Sequence, residues 1–248
     1  MTKSYLIPNW PAPKNIRAYT TTRFGGFSNS PYENFNLATH VDDELKTVEK
    51  NRAELKKILT LPTEPRWLTQ THSTIALNAG TCGIPQEADA SFTRNPREIC
   101  VVLTADCLPI LFCNQQGTEV GAIHAGWQGL CKGIIDSAMQ AIQSPHSEII
   151  AWLGPAISQD HLQLNEEVYQ QYIARDPNFV KAFSKKNGEW FLDMYLAAKI
   201  NLAKYGVTQI FGGDHCTYRE KDLFFSYRRD ARITGRMASL IWMKLGNP

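Results

Sequence analysis

Between residues 98 and 125 the chain runs through three apolar stretches, EICVVLTA (98–105), LPILFC (108–113) and TEVGAIHA (118–125). Short apolar runs bounded by turn residues read as strands. The second and third are separated by NQQG (114–117), polar residues ending in glycine, the composition of a hairpin turn. Adjacent strands joined by a hairpin, mixed with helices, argue for α+β rather than a purely alternating parallel sheet. EIIAWLG (148–154) and VTQIF (207–211) add further strands. Helical periodicity marks VDDELKTVEKNRAELKKILTL (41–61), GLCKGIIDSAMQAIQ (129–143) and FLDMYLAAKINLAKYG (191–206), and the tail TGRMASLIWMKL (234–245) is expected to be helical. The expected class is α+β. With no low-complexity linker, repeat or charge block, residues 1–248 are expected to form one domain.

Three residues raise a question in this apolar core. Asp106 and Cys107 interrupt the apolar run, and His124 arrives in the next one. If Gln115 and Gln116 are the central turn residues, Asn114 faces Gly117 and Cys107 faces His124. Directly opposed Cβ atoms stand about 4.5–5.5 Å apart on one sheet face. A slip of one residue would separate the pair, and Pro109 signals an edge or bulge nearby.

A thiol beside an imidazole has three physical meanings. It is a nucleophile with its base, two ligands of a metal site, or inert packing. WLTQTHST (67–74) supplies a further candidate, His72. Two histidines and one cysteine would bind zinc and leave a fourth position open, the layout of a catalytic site. HAGWQGL follows the His124 strand and opens a helix, so backbone N–H groups around Gly126 and Gly129 would favour an anion. In TTRFGGFSNS, Arg23 precedes a glycine pair and suits a phosphate or carboxylate. FFSYRRDARITGR brings Tyr227, Arg228, Arg229 and Arg236, read as a salt-bridged segment with substrate contact as the alternative. His40, His146, His161 and His215 have no companion spacing and are taken as structural.

Bulk properties exclude several classes of function. Twenty-six Lys and Arg against 24 Asp and Glu leave a net charge of +2, too little for an electrostatic grip on nucleic acid. No window has the length of a membrane span, and Pro8, Pro11 and Pro13 interrupt the first residues before any signal-peptide core. A cytoplasmic protein that binds neither nucleic acid nor membrane, as a monomer or weak homodimer, is expected. Its six cysteines (Cys82, Cys100, Cys107, Cys113, Cys131 and Cys216) show no CxxC pair and read as reduced thiols.

TRFGGFS, NLATHVDD, QTHS, ADASFT, TADCLPILF, AIHAGWQG, WLGPAIS and FFSYRRD…TGR stand in the order seen in the YfiH-like, or laccase-domain, family, which the chain resembles over nearly its whole length. The resemblance implies an α+β fold with a mixed β-sandwich core flanked by helices, and a zinc site at His72, Cys107 and His124. It also implies purine nucleoside chemistry: phosphorolysis of adenosine, inosine and methylthioadenosine, and deamination of adenosine. In that reading, zinc at the three ligands serves catalysis, with Arg23 and the backbone from Gly126 receiving phosphate. One departure is Gln128, where the family commonly has Arg. Three rivals use the same residues: an amide hydrolase trimming cell-wall precursors, a copper polyphenol oxidase, and a binding module without activity. A coupled copper centre needs many imidazoles, and six histidines with no His-x-His pair do not furnish one.

Overall fold

The computed structural model describes residues 4–80 and 86–244, so Cys82 lies outside the described residues. The first half runs β1 (Tyr5–Leu6), β2 (Ile16–Thr21), α1 (Leu45–Ile58), β3 (Ala76–Asn78), β4 (Ala90–Thr93), β5 (Cys100–Thr104), β6 (Leu108–Asn114) and β7 (Val120–Ala125). Next come α2 (Trp127–Lys132), α3 (Ile134–Ala141), β8 (Ile149–Leu153), β9 (Gln163–Leu164) and α4 (Glu166–Arg175). Then follow β10 (Phe183–Lys186), β11 (Glu189–Leu192), α5 (Met194–Lys204), β12 (Gln209–Gly212) and β13 (Met237–Met243).

Two sheets pack face to face. One has the order β1-β2-β13-β5; the other is mixed, β12-β8-β6-β7-β4-β3, with parallel pairs at its two edges. Ile16, Val102 and Ile241 from the first meet Leu111, Ala122 and Trp152 from the second in a buried layer. The outer face of the smaller sheet packs against α1 through Leu55 and Leu59. The outer face of the larger one packs against the later helices through residues such as Leu130, Ala138 and Ala198. Alternate residues of each strand serve opposite faces, the period-two geometry of a pleated strand. The α+β class follows, with the sandwich at its centre. A third, small sheet, β10-β11-β9, sits beside α4.

The expected tail helix is instead a strand. β13 lies between β2 and β5 and all seven of its residues are buried. A strand covered on both faces loses the apolar–polar alternation that would identify it. The helix expected over 129–143 is broken into α2 and α3 at Gly133, whose φ of 106° requires glycine.

The hairpin register also differs from the simplest one. Cys113 pairs with Val120 and Pro109 with His124, two residues displaced from the Cys107–His124 pairing. The loop is longer than two residues, closed by the Asn114 side chain accepting the amides of Thr118 and Glu119. A displacement of two preserves the face. Cys107 and His124 therefore stay on the same side of the sheet, as diagonal neighbours rather than opposed ones.

Candidate metal centre

Cys107 and His124 share strand parity with Leu111 and Ala122, so they point into the space between the two sheets. They stand where β6 starts and β7 ends, at the open end of the sandwich. Asp106 makes the turn from β5 into β6 with φ of 86°, uncommon for any residue but glycine. Its carboxylate accepts the Thr217 hydroxyl at 2.6 Å and the Arg228 amide at 2.7 Å. Its neighbour Cys107 is thereby held at the sheet end. Asp106 is the support of the thiol.

The loop carrying His72 is tied to both sheets. Gln70 exchanges two hydrogen bonds with the Leu103 backbone, donating at 2.8 Å and accepting at 2.7 Å. On the other side Asp89, which precedes β4 and is fully buried, collects the loop's amides. Its Oδ2 accepts the amides of Thr71 (3.2 Å) and Ser73 (2.6 Å) and the Ser73 hydroxyl (2.7 Å). Its Oδ1 accepts the His72 amide at 3.1 Å and His124 Nδ1 at 2.7 Å. His72 itself takes a left-handed φ of 57°. One carboxylate thus positions two of the three candidate ligands.

The result is a compact donor set. One ligand atom from each of His72, Cys107 and His124 lies within 4.8 Å of the other two, and Cys107 Sγ stands 3.6 Å from His72 Nε2. Two tetrahedral zinc donors stand about 3.5 Å apart given Zn–N and Zn–S bonds of about 2.1 and 2.3 Å. With Nδ1 of His124 bound to Asp89, its Nε2 is the nitrogen left for a metal, the carboxylate–histidine arrangement that fixes tautomer and ring orientation. Gly126 completes the fit. A Cβ there would stand 2.8 Å from Cys107 Sγ and 2.8 Å from His72 Cδ2, space that only glycine leaves empty. The residues present suit a single ion with two imidazoles and a thiolate. Among the described residues this is the one such group.

Electrostatics agree. Burial alone would push the Cys107 thiol up, but the charge and hydrogen bond of His124, followed by those of His72, bring it down to about 6. Burial opposes a charge on His124 as well, yet Cys107 and Asp89 raise it to about 9. The Asp89 carboxyl is held at about 2 because its bonds to His124 and Ser73 outweigh its burial. Without metal, both shifts favour the thiolate of Cys107 and the imidazolium of His124.

The donors open on a cavity of about 740 Å³. Trp127, Gln128, Tyr227 and Arg236 contribute to its walls, and so does His40, which sequence spacing had assigned a structural part. Partial burial and the nearby cations Arg236 and Arg52 lower the His40 pKa. Arg23 does not line this cavity. Its guanidinium donates to the carbonyls of Glu33 (3.1 Å) and Lys221 (3.0 Å) and lies over the Phe225 ring. Arg229 is likewise spent on Asp230 and three main-chain carbonyls. The helix opened by Gly126 is six residues long, a short dipole for an anion. Asp89 was missed in the sequence, although ADASFT reads as a strand and a carboxylate at its start is unusual.

Residues 17–244 match the family model described as multi-copper polyphenol oxidoreductase laccase. The chain is 45% identical over 239 residues to "Purine nucleoside phosphorylase YfiH" of Shigella flexneri, an alignment spanning 96% of this chain and 98% of that one. It is 46% identical over 242 residues to a purine nucleoside phosphorylase of Haemophilus influenzae, spanning 96% and 99%. Among solved structures, Neisseria meningitidis protein NMB0706 superposes with a TM-score of 0.94 at 42% identity, covering 98% of this chain and 100% of that one. Bacillus licheniformis YfiH superposes with a TM-score of 0.88 at 30% identity, covering 98% and 97%. The chain belongs to the multi-copper polyphenol oxidoreductase laccase family, in which the YfiH proteins fall.

Proposed function

We propose that this protein is a zinc-dependent purine nucleoside phosphorylase of the cytoplasm, built as one domain. It acts on adenosine, inosine and methylthioadenosine and also deaminates adenosine. The names of the relatives supply the substrate class, and the observation that carries the reading is a three-donor centre facing a cavity large enough for a nucleoside. Zinc is preferred to copper because two imidazoles and one thiolate make a mononuclear site with an open corner. No described helix is long and apolar enough to cross a membrane.

His72, Cys107 and His124 would hold the zinc ion, which would supply Lewis acidity to an atom that gains negative charge. The protein's own groups do the rest. Asp89 orients the His124 imidazole and anchors the backbone of the His72 loop, and Gly126 keeps the approach to the donors clear. The walls, with Trp127 and the Tyr227 ring, offer faces on which a purine stacks. Phosphorolysis joins a phosphate oxygen to ribose C1′ while the bond from C1′ to the purine nitrogen breaks, and its electron pair leaves with the base, which takes up a proton. The test is release of free base from adenosine or inosine by zinc-loaded protein, with and without phosphate. Equal release in both conditions, or none in either, overturns the reading.

A second reading, amide hydrolysis with Cys107 as nucleophile and His124 as base, is favoured by the low thiol pKa of the metal-free pair. Metal-free protein fully active on an amide would establish it over the first.

A further inference from the structure

We propose that Arg236 is the residue that holds the phosphate co-substrate, an assignment that rests on the phosphorylase reading above. Met237 pairs with Thr104, so Arg236 lies just outside β13, beside the stretch where the chain turns from β5 towards Cys107. Its Nη1 donates to the carbonyls of Thr234 (2.7 Å) and Gly235 (3.1 Å), and its guanidinium carbon sits 5.5 Å from the Tyr227 ring centroid. Its amide donates to Asn36 Oδ1 at 3.0 Å. The group is therefore fixed in place. Yet Nε and Nη2 have no protein acceptor, and no carboxylate stands within ion-pair distance, among the described residues.

Cys107 and Asp106 attract Arg236 through space, but neither forms an ion pair with it, and the Cys107 thiolate is taken up when a metal is bound. Asp106 is the one carboxylate among the described lining residues, and its two oxygens are taken by Thr217 and the Arg228 amide. Arg228, also in the lining, spends both Nη groups on the carbonyls of His161 and Gln163. Arg232, also in the lining, is exposed to solvent. Partial burial lowers the Arg236 pKa, which means that its charge is held at a cost in solvation. An anion with two oxygens on the Nε–Nη2 edge offsets that cost, the fork geometry with which arginine grips phosphate. Zinc held by His72, Cys107 and His124 would make the cavity more positive still.

Phosphate binding to zinc-loaded protein, measured by titration calorimetry with inorganic phosphate and no nucleoside, tests the assignment apart from turnover. R236Q is expected to weaken phosphate roughly tenfold to a hundredfold, as the loss of charged hydrogen bonds does. R236K is expected to regain only part of the loss. The KM for phosphate should rise in parallel, with a much smaller change in the KM for inosine. Wild-type phosphate affinity in R236Q, or a loss as large in R23Q, overturns the assignment. Should R236Q melt early, R236K decides, and unchanged affinity there overturns it as well. The two ideas fail separately. Phosphate-dependent base release that survives R236Q with the same phosphate KM removes Arg236 alone. Phosphate binding that depends on Arg236 without any base release removes the phosphorylase reading alone.

Discussion

Asp89, just before β4, and His124 on β7 are joined by a backbone bond of 2.7 Å and by the Asp89 carboxylate on His124 Nδ1, also at 2.7 Å. The same carboxylate carries the His72 loop, so metal affinity should depend on a residue that is not itself a ligand. D89N places an amide donor against amide donors. Its zinc affinity, measured by competition with a chromophoric chelator, should fall tenfold to a hundredfold or so. Unchanged affinity would refute the positioning role. Because the folded carboxyl, at about 2, lies below its ordinary 3.8, its contribution to stability is complete above about pH 4. It is lost as pH falls towards 2, and D89N should flatten that acid limb of a melting-temperature profile.

Gly126 offers a cleaner steric test. Its φ of −66° and ψ of 162° are open to alanine, so G126A should fold normally by circular dichroism. The added methyl would nevertheless lie 2.8 Å from the Cys107 sulfur, and zinc content by elemental analysis should drop well below that of wild type. Full zinc occupancy in G126A would show that the donors close elsewhere.

Cys107 should be the reactive thiol of the metal-free protein. Its alkylation rate should rise through a midpoint near pH 6, where a free thiol would need pH 9. Cys100 and Cys113 are buried with thiols pushed up to about 12 and should lag far behind. The stabilisation carried by the depressed thiol disappears as pH falls through about 6. That carried by the raised His124 disappears as pH climbs through about 9, so the ion pair spans the interval between. Zinc should protect Cys107 from the reagent, and C107S should abolish the fast phase. Mass spectrometry of the labelled peptide reads all three.

Metal removal should act on stability as well as turnover. Three donors from separate segments converge only in the folded chain, so an ion binds the native state in preference to the unfolded one. Chelation should lower the melting temperature, and about one equivalent of zinc should restore it. H72A should blunt the response. Stoichiometric loading with several copper ions per chain would contradict the single-ion centre.

Much of this centre is legible before any coordinates. Strand parity alone puts Cys107 and His124 on one face, and it survives the two-residue register shift because the pleat repeats every two residues. Turn length was the weak link, since the Asn114 side chain stabilises a longer loop than composition suggests. The convergence of His72 is invisible to spacing, because it depends on hydrogen bonds from Gln70 and Asp89 to segments far along the chain. Arg23 and Arg236 look equivalent as letters. They differ in what surrounds them, which is a property of packing. β13 misled for a related reason: MASLIWM has no polar face to declare its period when both sides are covered.

The placement of β13 also sets a demand on biosynthesis. β2 and β5 never touch within their sheet; each bonds to β13, and Thr20 meets Ser239 across 219 positions of sequence. A nascent polypeptide that has not yet produced β13 therefore exposes two adhesive strand borders, one on β2 and one on β5. Such long-range closure is slow. Until it happens, those two borders are free to pair with a neighbouring chain on the polysome.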